Sequence, residues 1–278
     1  MSLTFDPGYG REPYATLVGD YPGDDVYAPA AFRTEWGPIF HRGRLDGSAR
    51  VLLIGQDPAT HEAICRRILV GEAGQRAQGF LAKLGITTSY VMINTFAYSV
   101  YGQRGGEKNV SVPGIVAYRN RWLDALAADN QIEAIVSLGH LADTAYKTWK
   151  ATPAGAACRA AYETVLHPTY PDSASRSGTI TKAEAFARLC SSWNAALTRL
   201  QPVVTPDAAR PLVPYGNTIT PAEDVPIPPE DLPPGLPAWT RSLDAWATRS
   251  GTDAQTKRST ITVTIPQAAR TWPPLTTP

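Results

Sequence analysis

The stretch Val51-Leu52-Leu53-Ile54-Gly55-Gln56-Asp57-Pro58 decides the fold. Its four leading residues are apolar without interruption, too few for a helix, and stop at a glycine. That reads as a short strand buried on both faces. Three further runs share the pattern: Tyr90-Val91-Met92-Ile93, then Ala134-Ile135-Val136-Ser137-Leu138 ending at Gly139, then Glu163-Thr164-Val165-Leu166 ending at His167. Helical spacing fills the intervals, over residues 74–84, 115–128 and 141–149. After the fourth strand, Thr181-Lys182-Ala183-Glu184 spells a capping box, and Phe186, Leu189, Cys190, Trp193, Leu197 and Leu200 recur at helical spacing behind it. Strands alternating with helices predict an α/β fold, a three-layer α/β/α arrangement around a mainly parallel four-stranded sheet.

Polar residues collect where three of these strands end: Gln56 and Asp57, Asn94, and His167. Open α/β sheets bind ligands along that carboxyl edge, so the pattern predicts a site there. Each cluster alone has a plain structural reading. Asp57-Pro58 also spells a helix start with an Asp cap, Asn94 a turn residue, and His167-Pro168 a packed histidine before an extended turn.

Composition narrows the function. The 278 residues carry a formal net charge of +1, and residues 1–200 hold 20 Lys and Arg against 18 Asp and Glu. A wholly basic nucleic-acid binder is excluded; a local basic groove is not. No apolar run is long enough to span a bilayer, and the opening MSLTFDPGYG lacks a secretory signature, so the expectation is a cytoplasmic protein with no membrane partner. The three cysteines, Cys65, Cys158 and Cys190, form no CxxC pair and are expected to be small buried hydrophobes, with neither a metal nor a cofactor implied. Fifteen of the 25 prolines fall after residue 200. We therefore place a core domain at 1–200 and a Pro-rich extension at 201–278. The extension keeps Trp239, Trp246, Trp272 and the strand-like Thr260-Ile261-Thr262-Val263-Thr264-Ile265, and is expected to pack on the core.

Gly55-Gln56-Asp57-Pro58, then Ile93-Asn94-Thr95, then His167-Pro168-Thr169, in this order and on strand ends, resemble the uracil-DNA glycosylase superfamily over residues 50–200. Val70-Gly71-Glu72-Ala73-Gly74-Gln75 is similar to the segment after the first motif in that family's iron-sulfur branches. The resemblance implies a monomeric enzyme that flips uracil out of DNA and hydrolyses its N-glycosidic bond. The chemistry suits these residue types. Departure of the base leaves positive charge on the sugar and negative charge on the pyrimidine. Asp57 would stabilise the sugar cation and hold the attacking water, and His167 would donate to the base oxygen O2, a role that a neutral imidazole can fill. Asn94 would accept from N3–H and donate to O4, reading uracil against cytosine. Gln56 would offer its backbone N–H to the base.

Departures from the family are equally specific. Ala59 stands where the best-known branch carries the tyrosine that bars thymine's methyl. Leu69 aligns with a base-stacking phenylalanine, so the π-face is expected from Phe96 or Tyr98 if these are not core residues. The loop Gly102-Gln103-Arg104-Gly105-Gly106-Glu107-Lys108 has none of the histidine of the covalent-trapping branch, which predicts hydrolysis. Tyr170 and Pro171 replace the usual leucine wedge, and Tyr170 could stack into the vacated space. No four-cysteine cluster is present, so the chain resembles a divergent member. Arg104, Lys108 and Arg176 are the candidate phosphate contacts, together with the backbone N–H groups of residues 71–74. His61-Glu62 is expected on an exposed helical turn. Two other readings remain open: a glycosylase of the same fold with a broader damaged-base range, permitted by Ala59 and Leu69, and a non-catalytic DNA-binding or scaffold protein.

Overall fold

The computed structural model describes residues 9–101, 103–176, 178–243, 245–250, 256, 260–265 and 267. Five strands form the central sheet: β1 (His41–Gly43), β2 (Val51–Gly55), β3 (Tyr90–Asn94), β4 (Ala134–Leu138) and β5 (Ala161–Val165), in the order β1-β3-β2-β4-β5. β2 lies at the centre, parallel to both β3 and β4, with Gly55 opposite Asn94 and Ile54 opposite Ser137. β5 runs parallel to β4 on one edge, and β1 runs antiparallel to β3 on the other.

The four strands read from the sequence are all present, and the sheet has one strand more. β1 escaped because His41-Arg42-Gly43 carries neither apolar nor β-branched side chains, although all three residues are buried. What buries it is tertiary. The Arg42 side chain has no exposure and is enclosed by partners drawn from far along the chain.

Period-two alternation splits the buried strand residues between two faces. Leu53, Met92 and Val136 point to one side, against α3 (Glu72–Lys83) and α9 (Lys182–Leu200), where Phe80 meets Trp193 edge to face at 5.4 Å. Leu52, Ile54, Val91 and Ile135 point to the other, against α1 (Tyr14–Gly19), α5 (Pro113–Asp129) and α6 (His140–Lys150). Helices therefore cover both faces of a mainly parallel sheet. α9 begins as its spelling requires: the Thr181 hydroxyl accepts from Glu184 N–H at 3.2 Å while the Glu184 carboxylate accepts from Thr181 N–H at 2.8 Å. Cys65 and Cys190 are buried, Cys158 is partly so, and all three are free thiols.

The chain beyond residue 200 lies along the domain's surface. Asp207 accepts from the N–H groups of Thr87, Thr88 and Ser89, tying it to the turn before β3. Tyr215 and Asn194 of α9 exchange two hydrogen bonds, and Lys83 pairs with Glu223 at 2.7 Å. The Glu223 carbonyl passes so close to Gly79 that any side chain there would collide with it. Asp231 then pairs with Arg42 at 2.7 Å, with no exposure on either side chain, and also accepts from the Tyr90 hydroxyl. Ile227, Leu232, Trp246 and Ala247 close a small core over Cys65 and Val70. β6 (Ala247–Arg249) and β7 (Ile261–Val263) form an antiparallel hairpin, and Trp239 rests edge-on against Trp246 at 5.0 Å. Trp272 lies outside the described residues.

These contacts give an expectation for stability. Asp231→Ala would leave the Arg42 guanidinium buried without its carboxylate, and breaking such a pair from one side costs about 3–5 kcal/mol. Urea denaturation of Asp231→Ala should show a loss of that size. Deletion of residues 201–278 should lower the melting temperature further, because it also uncovers Cys65 and Val70. A truncated protein that melts like the full chain would show that the extension contributes nothing to folding.

Candidate functional site

The site begins where the ladder between β2 and β3 outlives the strands. Thr95 N–H donates to the Gly55 carbonyl at 2.9 Å and Phe96 N–H to the Gln56 carbonyl at 3.0 Å, so the two chains leave the sheet edge in register. A Cβ at Gly55 would overlap Asn94 Oδ1, so any larger residue there would displace the Asn94 amide. The next residues turn into α2 (Thr60–Cys65). Its N-cap is Ala59, whose N–H is taken by the Glu62 carboxylate at 3.0 Å. Asp57 is therefore no helix cap. Its Oδ2 accepts from Val100 N–H at 3.0 Å and its Oδ1 from Gln56 Nε2 at 3.1 Å. Burial raises the Asp57 carboxyl to about 6, further than its two hydrogen bonds and the distant Arg249 guanidinium pull it down.

The second wall comes from the segment after β5. Leu166 is pinned at both backbone atoms by α9: its N–H donates to Ser192 Oγ at 3.1 Å and its carbonyl accepts from Trp193 Nε1 at 2.9 Å. The His167 carbonyl accepts from Tyr170 N–H at 2.8 Å, opening α8 (Tyr170–Arg176). Thr169 N–H donates to His167 Nδ1 at 3.2 Å, with Thr169 Oγ1 at 3.0 Å from the same nitrogen. An Nδ1 that accepts leaves the proton of the neutral ring on Nε2. Burial, aided by the neighbouring Arg76 guanidinium, lowers the His167 imidazole to about 4. Arg76 also donates to the Pro168 carbonyl at 2.8 Å, which fixes the loop to α3. At neutral pH the pair thus stands as an ionised Asp57 and a neutral His167 that donates through Nε2.

Between the walls lies a cleft of about 540 Å³. Gln56, Asp57, Ala59, Leu69, His167 and Tyr170 all line it, which brings together six of the residues singled out from the sequence. Leu69 holds a left-handed backbone, φ +52°, unusual for a branched side chain. Gly74 makes that loop possible: a Cβ there would overlap the Leu69 carbonyl.

Asn94 is not in the cleft wall. It lines a separate small cavity on the α5 side, is 7% exposed, and its Oδ1 lies against Gly55 and near Leu69 with no hydrogen-bond partner among the described residues. Phe96 and Tyr98 prove to be core residues. Phe96 packs on Phe32 at 5.6 Å, and the Tyr98 hydroxyl donates to the Pro22 carbonyl at 3.1 Å. Tyr170 supplies the aromatic surface of the cleft instead.

The pair His61-Glu62 is not an exposed turn. Glu62 is buried and lines the cleft, and its carboxylate gathers the N–H groups of Ala59, Val70 and Gly71. Gly71 N–H is thereby spent inside the protein, and Gly74 N–H binds the Gly71 carbonyl, so neither serves as a phosphate cradle. Glu62 was missed because Ala59 replaces the hydroxyl residue that makes a capping box legible. His61 turns away from the cleft to meet Trp246 edge-on at 4.6 Å, its Nε2 accepting from Ala247 N–H at 3.3 Å.

Of the candidate phosphate contacts, Lys108 is exposed in α4 (Gln103–Asn109), the helix whose Glu107 lines the cleft. Arg176 is exposed at the end of α8, whose Tyr170 and Ser173 line it. The Arg104 side chain lies outside the described residues. Among the described residues no cluster of three or more His, Cys, Asp or Glu could hold a metal ion, and no helix is long and apolar enough to cross a membrane. Compared with known proteins, the chain matches no family model and no curated protein.

Proposed function

We propose that the chain is a DNA glycosylase with a uracil-DNA glycosylase-like fold, hydrolysing the bond between uracil and deoxyribose. The observation that carries this reading is the pairing of Asp57 and His167 across one cleft, in the protonation states that the reaction needs. The ionised Asp57 stabilises positive charge on the sugar and orients the attacking water. His167 donates from Nε2 to O2 as negative charge grows on the base, with Nδ1 held by Thr169 so that the donor stays aimed. A positioned donor of this kind is worth about 2.7–4 kcal/mol. The carbon–nitrogen bond breaks with its electron pair leaving on the base, water supplies OH to the sugar carbon, and the proton it releases passes by way of Asp57 to the departed base anion. Tyr170 stacks on the extruded nucleotide, and Lys108 and Arg176 hold phosphates.

Asn94 is the base reader in this mechanism. A buried amide oxygen without a partner is costly in the free protein and is satisfied by the N3–H of uracil. Its place behind Gly55 and Leu69 means that the base reaches it only if Leu69 yields. The breadth of the cleft and the bare methyl of Ala59 on its wall favour a range wider than uracil alone.

Incubating the protein with oligonucleotides that carry single uracil, hypoxanthine or ethenocytosine, followed by alkaline cleavage of abasic sites, tests the assignment. Asp57→Ala should keep its affinity for uracil-containing DNA and lose most turnover. Excision at the unmodified protein's rate by a folded Asp57→Ala would remove Asp57 from the chemistry.

The pH profile follows from the same two groups. Asp57 must be ionised, so kcat/KM should rise with pH through about 6 and then level off. His167 is neutral throughout that range, so its deprotonation brings no fall between pH 6 and 8. A bell centred below pH 6 would require a protonated histidine and contradict this mechanism.

Asn94→Asp should lose uracil excision by about 5–150-fold, the equivalent of ~1–3 kcal/mol for a mispaired buried polar group, and gain a trace of cytosine excision. Single-turnover rates on matched uracil and cytosine oligonucleotides decide it. Unchanged uracil rates would reduce Asn94 to a strand-end residue.

A further inference from the structure

A second cavity lies beside Asn94, on the far side from the cleft, with a volume of about 20 Å³. Its lining includes Tyr27, Phe40, Tyr118, Trp122 and Arg119. Arg119, on the inner face of α5, is 3% exposed. Its Nη1 donates to the Val110 carbonyl at 3.2 Å, while the buried Nε and Nη2 have no acceptor among the described residues. The buried Trp122 indole N–H lies beside the Tyr118 hydroxyl, which takes it as a partner. Burial lowers the Arg119 guanidinium only to about 10, so it is charged at neutral pH, and among the described residues the titratable side chain acting on it is the phenol of Tyr27. No carboxylate pairs with it among the described residues. A buried guanidinium in that position carries an uncompensated charge, which interiors tolerate only when it is paired.

We propose that this cavity binds a monatomic anion, chloride in ordinary solution, with Arg119 as its counter-charge. Three features select that class. The unsatisfied atoms of Arg119, Nε and Nη2, are both donors, as an anion requires. Among the side-chain acceptors of the described lining residues, Asn94 Oδ1 alone is unsatisfied, and it is turned to Gly55. The volume of about 20 Å³ exceeds the roughly 10–15 Å³ that a single water needs and suits one monatomic ion. A neutral water would satisfy donors and leave the charge unpaired. The site does not depend on the glycosylase reading, since none of its donors touches the cleft. It would make the end of β3 anion-dependent, and with it the seat of Asn94.

The test compares melting temperatures at fixed ionic strength, with sodium chloride or bromide replaced stepwise by gluconate, for the full chain and for Arg119→Met. General salt effects act on both proteins alike. The full chain should gain about 2–4 °C for each tenfold rise in halide above the dissociation constant, relative to Arg119→Met. Identical halide responses in the two folded proteins would overturn the proposal. Should Arg119→Met fail to fold, crystals of the unaltered protein grown in bromide decide the matter. An anomalous bromine peak within hydrogen-bonding distance of Arg119 Nη2 supports the site, and ordinary water density there without anomalous signal refutes it.

Discussion

Arg42 and Asp231 stand 189 residues apart in the chain and form an ion pair with no exposure on either side. Removing two charges from water is costly, and their attraction offsets that only when the remaining donors and acceptors are also satisfied. Here most are: Arg42 also donates to the Ile68 carbonyl at 3.1 Å and to Gln78 at 3.0 Å, and Asp231 also accepts from the Tyr90 hydroxyl. The pair therefore fixes one geometry among β1, β3, α3 and the extension. Ile227, Leu232 and Trp246 are held on either side of it, and they hold α2 and the loop carrying Leu69. One wall of the cleft thus rests on a residue from the Pro-rich segment.

Within the cleft the same desolvation acts in opposite directions on two groups. It raises Asp57 and lowers His167, so the carboxyl titrates above the imidazole, reversing their order in water. As pH rises above about 6 the carboxyl becomes charged while the imidazole is neutral, although each is only partly exposed to solvent. Supporting contacts keep them so. The Val100 N–H holds Asp57, and Thr169 fixes the tautomer of His167. Glu62 spends its carboxylate on three backbone N–H groups and ties the first motif to the Leu69 loop. Two of the buried arginines contrast in this respect: Arg42 has its carboxylate, whereas Arg119 has none among the described residues.

Length, alternation and strand-end chemistry were legible in the sequence. Apolar runs of four or five residues can only be buried strands when helices of regular spacing separate them. The four parallel strands, the helices between them and the capping box of α9 follow from local periodicity and hydrogen-bonding capacity, which neighbours in the chain determine. The clustering of Gln56, Asp57, Ala59, Leu69, His167 and Tyr170 was legible too, because parallel strands bring their carboxyl ends to one edge.

The remainder was decided by contacts between residues far apart in the chain. β1 exists because Asp231 and Tyr9 receive the polar side chains of Arg42 and His41, and no local pattern announces a polar strand. Phe96 and Tyr98 look alike as cleft aromatics or core residues; Phe32, Tyr27 and Pro22 make them core. Asn94 ends its strand where the sequence places it, but Gly55 and Leu69 set its amide behind the cleft wall. Residue type and periodicity determine which groups a chain brings to an edge. Packing determines their burial, partners and charge, because desolvation depends on every neighbour, near or distant in sequence.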